Sequence, residues 1–174
     1  MKSKIYIRNI EKSHFKSITS IYEDAGCKIR ETHGTIVISN DRRLDAIEKV
    51  TTQPYPGFPT DMQAQFMASM AVADGITIIE ETVFDSRFKH VPELQKMGAN
   101  ITTIGRVAVI EGIEKLYGAE VESKDLRGGA ALVIAALGAE GTTKINNIHH
   151  INRGYEKFVN KLQNLGVIIT EVDD

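Results

Sequence analysis

An acid and three arginines fall at points where the chain limits its own freedom to place them. Asp61 closes the run YPGFPTD, in which two prolines and a glycine lead straight into a helix signal. Arg127 sits in DLRGG, Arg87 in ETVFDSRFKHVPE and Arg153 in HHINRGYEK. A carboxylate at a helix start can hold a hydroxyl and take its proton, and guanidinium groups grip carboxylates and phosphates through paired N–H donors. Acid–base work on an anionic ligand is the chemistry this set allows.

Each residue also has a plainer reading. Thr60-Asp61-Met62-Gln63 fits a capping box with Thr60 as N-cap and Gln63 at the third helical position. Asp61 is then not needed to close the helix, and as a bare first-turn acid it would add ~0.3–1 kcal/mol through the helix dipole. That reading leaves the rigid approach unexplained. Arg127 has the wrong sign for a first turn, and Gly128 and Gly129 behind it each lose ~0.8–1 kcal/mol of helix propensity relative to Ala. Both choices make sense if an anion approaches bare backbone there; the alternative is that Arg127 pairs with Asp125. Arg87 and Arg153 each lie 12 residues after a glycine (Gly75, Gly141) and before a helix, with Asn152 a candidate N-cap.

The elements that must position these residues repeat along the chain. YEDAGCKIRETHGTIVIS (22–39), LQKMGANITTIGRVAVIEG (94–112) and LQNLGVIITEV (162–172) each join a helix end, a glycine and a β-alternating run. Gly26, Gly98 and Gly166 read as helix C′ positions at intervals of 72 and 68 residues. Two Ala-rich helices, at 61–75 and 125–141, precede the later copies and are apolar on most sides, as buried helices are. The chain therefore divides into units of about 1–54, 55–118 and 119–174, the first lacking its leading half. Three related α/β units suggest a closed, pseudo-threefold domain.

Composition narrows the function. The 174 residues carry a net charge of −2, so no basic field invites nucleic acid. No apolar run approaches the ~20 residues of a membrane span and no signal-peptide pattern opens the chain, which sets a cytoplasmic protein as the expectation. Cys27, the single cysteine, reads as a small core residue at a strand start, and the five histidines have no metal-ligand spacing. His90 reads as a surface residue and His149-His150 as packing at a strand end.

YPGFPTDMQAQF, ETVFDSRFKHVPEL-x-x-MGA, DLRGGAALVIAAL-x-AEGTT and HI-x-RGYE resemble the UDP-N-acetylglucosamine 1-carboxyvinyltransferases, the UDP-GlcNAc enolpyruvyl transferases of bacterial cell-wall synthesis. The likeness covers roughly 55–170, with 1–54 fitting more loosely. It implies an inside-out α/β barrel of three βαβαββ-like units, helices inside, forming one domain of a two-domain enzyme. The family moves the enolpyruvyl group of phosphoenolpyruvate to the sugar 3-hydroxyl, releases phosphate and needs no metal or organic cofactor. By motif, Asp61 corresponds to the aspartate that takes the hydroxyl proton. Val83 matches a position on the sugar nucleotide. Arg87, Arg127 and Arg153, with Asp125, match the cluster around phosphoenolpyruvate.

The departures set further expectations. The chain matches the C-terminal part of a family member, well under half of it, so the N-terminal domain with its cysteine loop is missing. Asn152 stands where the family has an acid. The chain by itself is expected to be inactive. A non-catalytic module holding a phosphorylated ligand or partner domain is the alternative, and an inert fragment that self-associates is a third reading.

Overall fold

The computed structural model describes residues 3–172. Its organising feature is the repeat. Helices α1 (Lys16–Asp24), α3 (Val91–Lys96) and α6 (Phe158–Asn164) all stop in the same way. Gly26, Gly98 and Gly166 take φ of +94°, +94° and +87°, a conformation that costs a Cβ-bearing residue and is free for glycine. Each glycine N–H bonds the carbonyl three residues back (Glu23, Gln95, Gln163), and the next residue bonds the carbonyl five back (Tyr22, Leu94, Leu162). This is the Schellman closure, made three times from local sequence.

The middle unit is complete. It runs β4 (Lys49–Thr51), α2 (Gln63–Met70), β5 (Ile76–Glu80), α3, β6 (Asn100–Ile104) and β7 (Val107–Glu111). Its sheet has the order β4-β5-β7-β6, with β4 parallel to β5 and the other pairs antiparallel. The first unit, β1 (Ser3–Arg8), α1, β2 (Lys28–Thr32) and β3 (Thr35–Asn40), reproduces the second half of that pattern as an antiparallel sheet β1-β3-β2. The third unit reproduces the first half. Here β8 (Glu120–Glu122) and β9 (Lys144–Asn146) are parallel and are bridged by α4 (Leu126–Gly138), with α5 (His149–Asn152) and α6 following.

One expected strand is absent. Residues 167–172 follow Gly166 as β6 follows Gly98, yet they form no strand. In the middle unit β6 is held only by β7, and the described residues contain no counterpart of β7 in the third unit. An apolar run without a ladder partner leaves its backbone groups to water. Beside β9 lies an open cavity of about 510 Å³ whose apolar wall includes Val133, Leu137, Ile145, Phe158, Val167 and Ile169 and whose polar wall includes Thr142, Thr143, Asn152, Thr170 and Glu171.

Helices α2, α3 and α4 are buried and form the inner layer of the inside-out arrangement, whereas α1 buries only Thr19 and α6 buries no residue. Helices α2 and α4 pack side by side, with Phe66, Met67, Met70, Ala131 and Leu132 buried. Phe66 also takes the ring edges of Tyr22 and Phe58 at centroid distances of 5.7 and 5.4 Å. Side chains this large contribute ~1.5–3 kcal/mol each by leaving water. Strands β5 and β7 alternate between buried and more exposed positions, one face on the helices and one outward, whereas β6 at the sheet edge buries only Ile101. Among the described residues no helix is long and apolar enough to cross a membrane.

Candidate active site

Asp61 is delivered by a tight approach. Gln53 bonds the Phe58 carbonyl, Gly57 bonds Pro54, and the Tyr55–Pro56 bond is cis. A Cβ at Gly57 would lie 2.4 Å from that of Gln53, so only glycine closes the loop. Pro59, extended, then leads into a 3-10 turn, Thr60–Met62, ahead of α2. The expected capping box does not form. Thr60 makes no cap; its hydroxyl donates to Glu81 Oε2 at 2.9 Å, and Gln63 is buried in the core rather than folded back on Thr60. Asp61 therefore stands in the turn before the helix, about half exposed.

Arg127 is the second residue of α4. Asp125 is the N-cap, accepting from the N–H groups of Arg127 (3.0 Å) and Gly128 (2.8 Å). Capping accounts for Asp125, and the Arg127 guanidinium goes elsewhere: Nε to Asp61 Oδ1 at 2.5 Å and Nη2 to Oδ2 at 2.6 Å. Arg87, in the loop between β5 and α3, donates from Nη2 to Asp61 Oδ1 at 3.0 Å while its guanidinium lies over the Phe84 ring at 4.8 Å. Arg106 braces this loop from outside, pairing with Asp85 and donating to the Thr82 carbonyl. Val83, in the same loop, is a little over one-third exposed.

Three expectations are corrected here. Gly128 and Gly129 do not leave backbone bare for an anion. A Cβ at 128 would meet that of His90 at 3.0 Å, and one at 129 would fall 2.2 Å from Ser123 Oγ and 2.7 Å from Ile151 Cγ1. Close packing of α4 against its neighbours demands glycine at 129 and leaves little room at 128. His90 is not on the surface: it is 2% exposed, packed between the Arg87 loop and the first turn of α4. Burial pushes its pKa down to about 4, against the pull of the Asp125 carboxylate and the Arg87 backbone, so it is neutral at pH 7. Asn152 caps no helix. It ends α5, and its amide donates to Glu171 at 2.9 Å.

Asp61, Arg87 and Arg127 thus converge from two different units, whereas Arg153 does not reach Asp61. Its side chain is exposed and has no hydrogen-bond or ion-pair partner among the described residues. The neighbouring Gly154 lies against the Leu126 side chain, which places this turn beside the start of α4. The His149 and His150 rings lie 4.1 Å apart, tilted by 40°, at the start of α5, which two residues separate from β9.

Two cations on one carboxylate leave a surplus positive charge. The groups are 23%, 31% and 56% exposed, and ion pairs at such exposure contribute ~1 kcal/mol or less. An arriving anion can therefore draw the guanidinium groups away at little expense. The sequence reading missed Glu81, which is 1% exposed. Thr77 and Ile79 are buried on the same face, so the period-two alternation of ITIIEE carried the signal.

Comparison with known proteins shows what the chain is similar to. The chain is 50% identical over 165 residues to UDP-N-acetylglucosamine 1-carboxyvinyltransferase 1 of Caldanaerobacter subterraneus subsp. tengcongensis, covering 95% of this chain and 40% of the relative. It is 42% identical over 170 residues to UDP-N-acetylglucosamine 1-carboxyvinyltransferase of Geotalea uraniireducens, covering 98% and 40%. The chain thus spans about two-fifths of the length of these relatives. The enolpyruvyl transferase NikO from Streptomyces tendae superposes with a TM-score of 0.83 at 26% identity, over 95% of this chain and 38% of that one. EPSP synthase from Acinetobacter baumannii shares the fold at 20% identity, TM-score 0.75, over 99% of this chain and 43% of that one. Residues 1–162 match the profile of EPSP synthase (3-phosphoshikimate 1-carboxyvinyltransferase), and the chain belongs to that family.

Proposed function

We propose that this chain is the domain carrying the proton-accepting aspartate of a UDP-N-acetylglucosamine 1-carboxyvinyltransferase, working in the cytoplasm on the first committed step of peptidoglycan synthesis. The observation that carries the reading is the Asp61 carboxylate held by Arg87 and Arg127. The names of the relatives point to UDP-N-acetylglucosamine as the acceptor, and the resemblance carried by the motifs of this chain implies phosphoenolpyruvate as the donor. Arg87 and Arg127, with Arg153 on the adjacent turn, bind the carboxylate and phosphate of phosphoenolpyruvate. In doing so they release Asp61, which turns to the sugar 3-hydroxyl.

The hydroxyl oxygen then bonds to C2 of phosphoenolpyruvate and its proton passes to Asp61. A general acid of the facing domain protonates the former enol methylene in the same step, giving a tetrahedral adduct with a methyl group. The conjugate base of that acid then takes a proton back from the methyl carbon, which restores the double bond as the C–O bond to phosphate breaks and inorganic phosphate leaves. The arginines neutralise charge on the departing group. Val83 packs on the sugar nucleotide, and Asp125 holds the start of α4 in place for Arg127. An N-terminal domain like that of the longer relatives, as partner, supplies the other wall of the cleft. Without it the reacting groups are not held together, and the chain alone turns nothing over.

The test is phosphate release from phosphoenolpyruvate with UDP-N-acetylglucosamine, using this chain, a separately produced N-terminal part of a relative, and both mixed. Release only on mixing, lost in Asp61→Asn, supports the reading. Release by the chain alone that disappears in Asp61→Ala overturns the inactivity of the fragment. Calorimetric binding of phosphoenolpyruvate with no turnover in any mixture favours a non-catalytic anion-binding module instead.

A further inference from the structure

We infer that Glu81 is a positioning residue, which fixes where Asp61 stands by tying the approach to Asp61 to the turn that follows β5. Its carboxylate is buried and is satisfied from four directions. Oε1 accepts from the Thr52 hydroxyl (2.9 Å) and from the N–H groups of Val83 (2.9 Å) and Phe84 (3.0 Å). Oε2 accepts from the Thr60 hydroxyl at 2.9 Å. No Lys, Arg or His side chain among the described residues pairs with it. A buried carboxylate without a cation is costly unless every lone pair is engaged, so all four contacts hold one geometry.

What these contacts join gives the residue its meaning. Thr52 begins the loop to Asp61, and Thr60 is the residue before it. Val83 and Phe84 begin the turn that carries Arg87, whose guanidinium lies over Phe84. The loop and the turn are also tied directly, by Thr82 N–H on the Thr52 hydroxyl at 2.9 Å and the Thr82 hydroxyl on the Thr52 carbonyl. Glu81 thus sits at the crossing of both segments, with the Asp61–Arg87 pair at their far ends. The catalytic significance rests on the enolpyruvyl-transfer reading; the mechanical role does not.

Hydrogen exchange of the Arg127 Nε–H, which bonds Asp61 at 2.5 Å, reports the placement of Asp61 without substrate or turnover. Thr60→Val cuts the link while leaving the other three Glu81 contacts intact, and Thr60→Ser keeps the hydroxyl. The expected result is Nε–H exchange about threefold faster in Thr60→Val, near wild type in Thr60→Ser, with the backbone amides of Leu132 and Val133 in α4 as protected as before. Glu81→Ala, where it folds, shows the same loosening and adds faster exchange at the amides of Val83 and Phe84. Three outcomes overturn the inference: unchanged Nε–H exchange in Thr60→Val, equal loosening in Thr60→Ser, or protection lost equally throughout α4. Any of these leaves the phosphate-release test untouched, and failure of that test leaves this one standing.

Discussion

His90 should make the stability of this chain depend on pH in a window that its burial defines. The folded protein holds the ring neutral, with a pKa near 4 against an ordinary value of 6.5, chiefly because burial penalises the charged form. Between those two values the unfolded chain binds the proton and the folded chain does not. The contribution is fully present above pH 6.5 and is lost as pH falls towards 4. One proton corresponds to ~1.4 kcal/mol per pH unit, so the whole window is worth about 3 kcal/mol. The assay is urea unfolding of wild type and His90→Leu at half-unit steps from pH 7.5 to 4.5. The difference in unfolding free energy should fall in steps approaching the one-proton slope between pH 6 and 4.5 and be flat above pH 7. Glu93 does not confuse the comparison. Burial alone would raise its pKa, but bonds from Lys96, Lys124 and the Glu122 N–H outweigh that and hold it near 2, so its contribution is lost only below about pH 4.5. Parallel curves for the two proteins would refute the reasoning, because the buried ring would then carry no proton penalty.

Substitutions at two glycines of α4 should have opposite effects. Gly129→Ala forces a Cβ to within 2.2 Å of Ser123 Oγ and should cost about 1–3 kcal/mol, whereas Gly138→Ala meets nothing within 4 Å and should gain up to about 1 kcal/mol, both read from thermal melts. Arg43→Ala removes a side chain that donates to the carbonyls of Val72, Ala73, Gly112 and Ile113, joining the end of α2 to the end of β7. It should lower stability by about 2–4 kcal/mol in urea unfolding, and a loss below 0.5 kcal/mol would show those bonds to be replaced by water. Arg127→Ala should change stability by less than about 1 kcal/mol, because its pair with Asp61 is exposed and its charge opposes the helix dipole. A loss several times larger would mean that the pair exists for folding rather than for binding.

The local parts of this protein were legible in its residues. Gly26, Gly98 and Gly166 close three helices through bonds that span at most five residues, so the repeat and its joints follow from sequence neighbours alone. The apolar composition of α2 and α4 equally implied burial on every side, and the resemblance in the motifs marked Asp61, Arg87 and Arg127 before any contact was known. The tertiary structure decided the rest. Thr60 could cap its own helix or bond Glu81, 21 residues away, and the packing of β5 against the approach loop chose Glu81. Gly129 could admit an anion or a neighbouring side chain, and Ile151 fills the space. Arg153 could have joined the cluster but stays out in solvent, while residues 167–172 have strand chemistry and no strand beside them. In each case the outcome depends on which distant group arrives to compete, and a linear pattern carries no record of that competition.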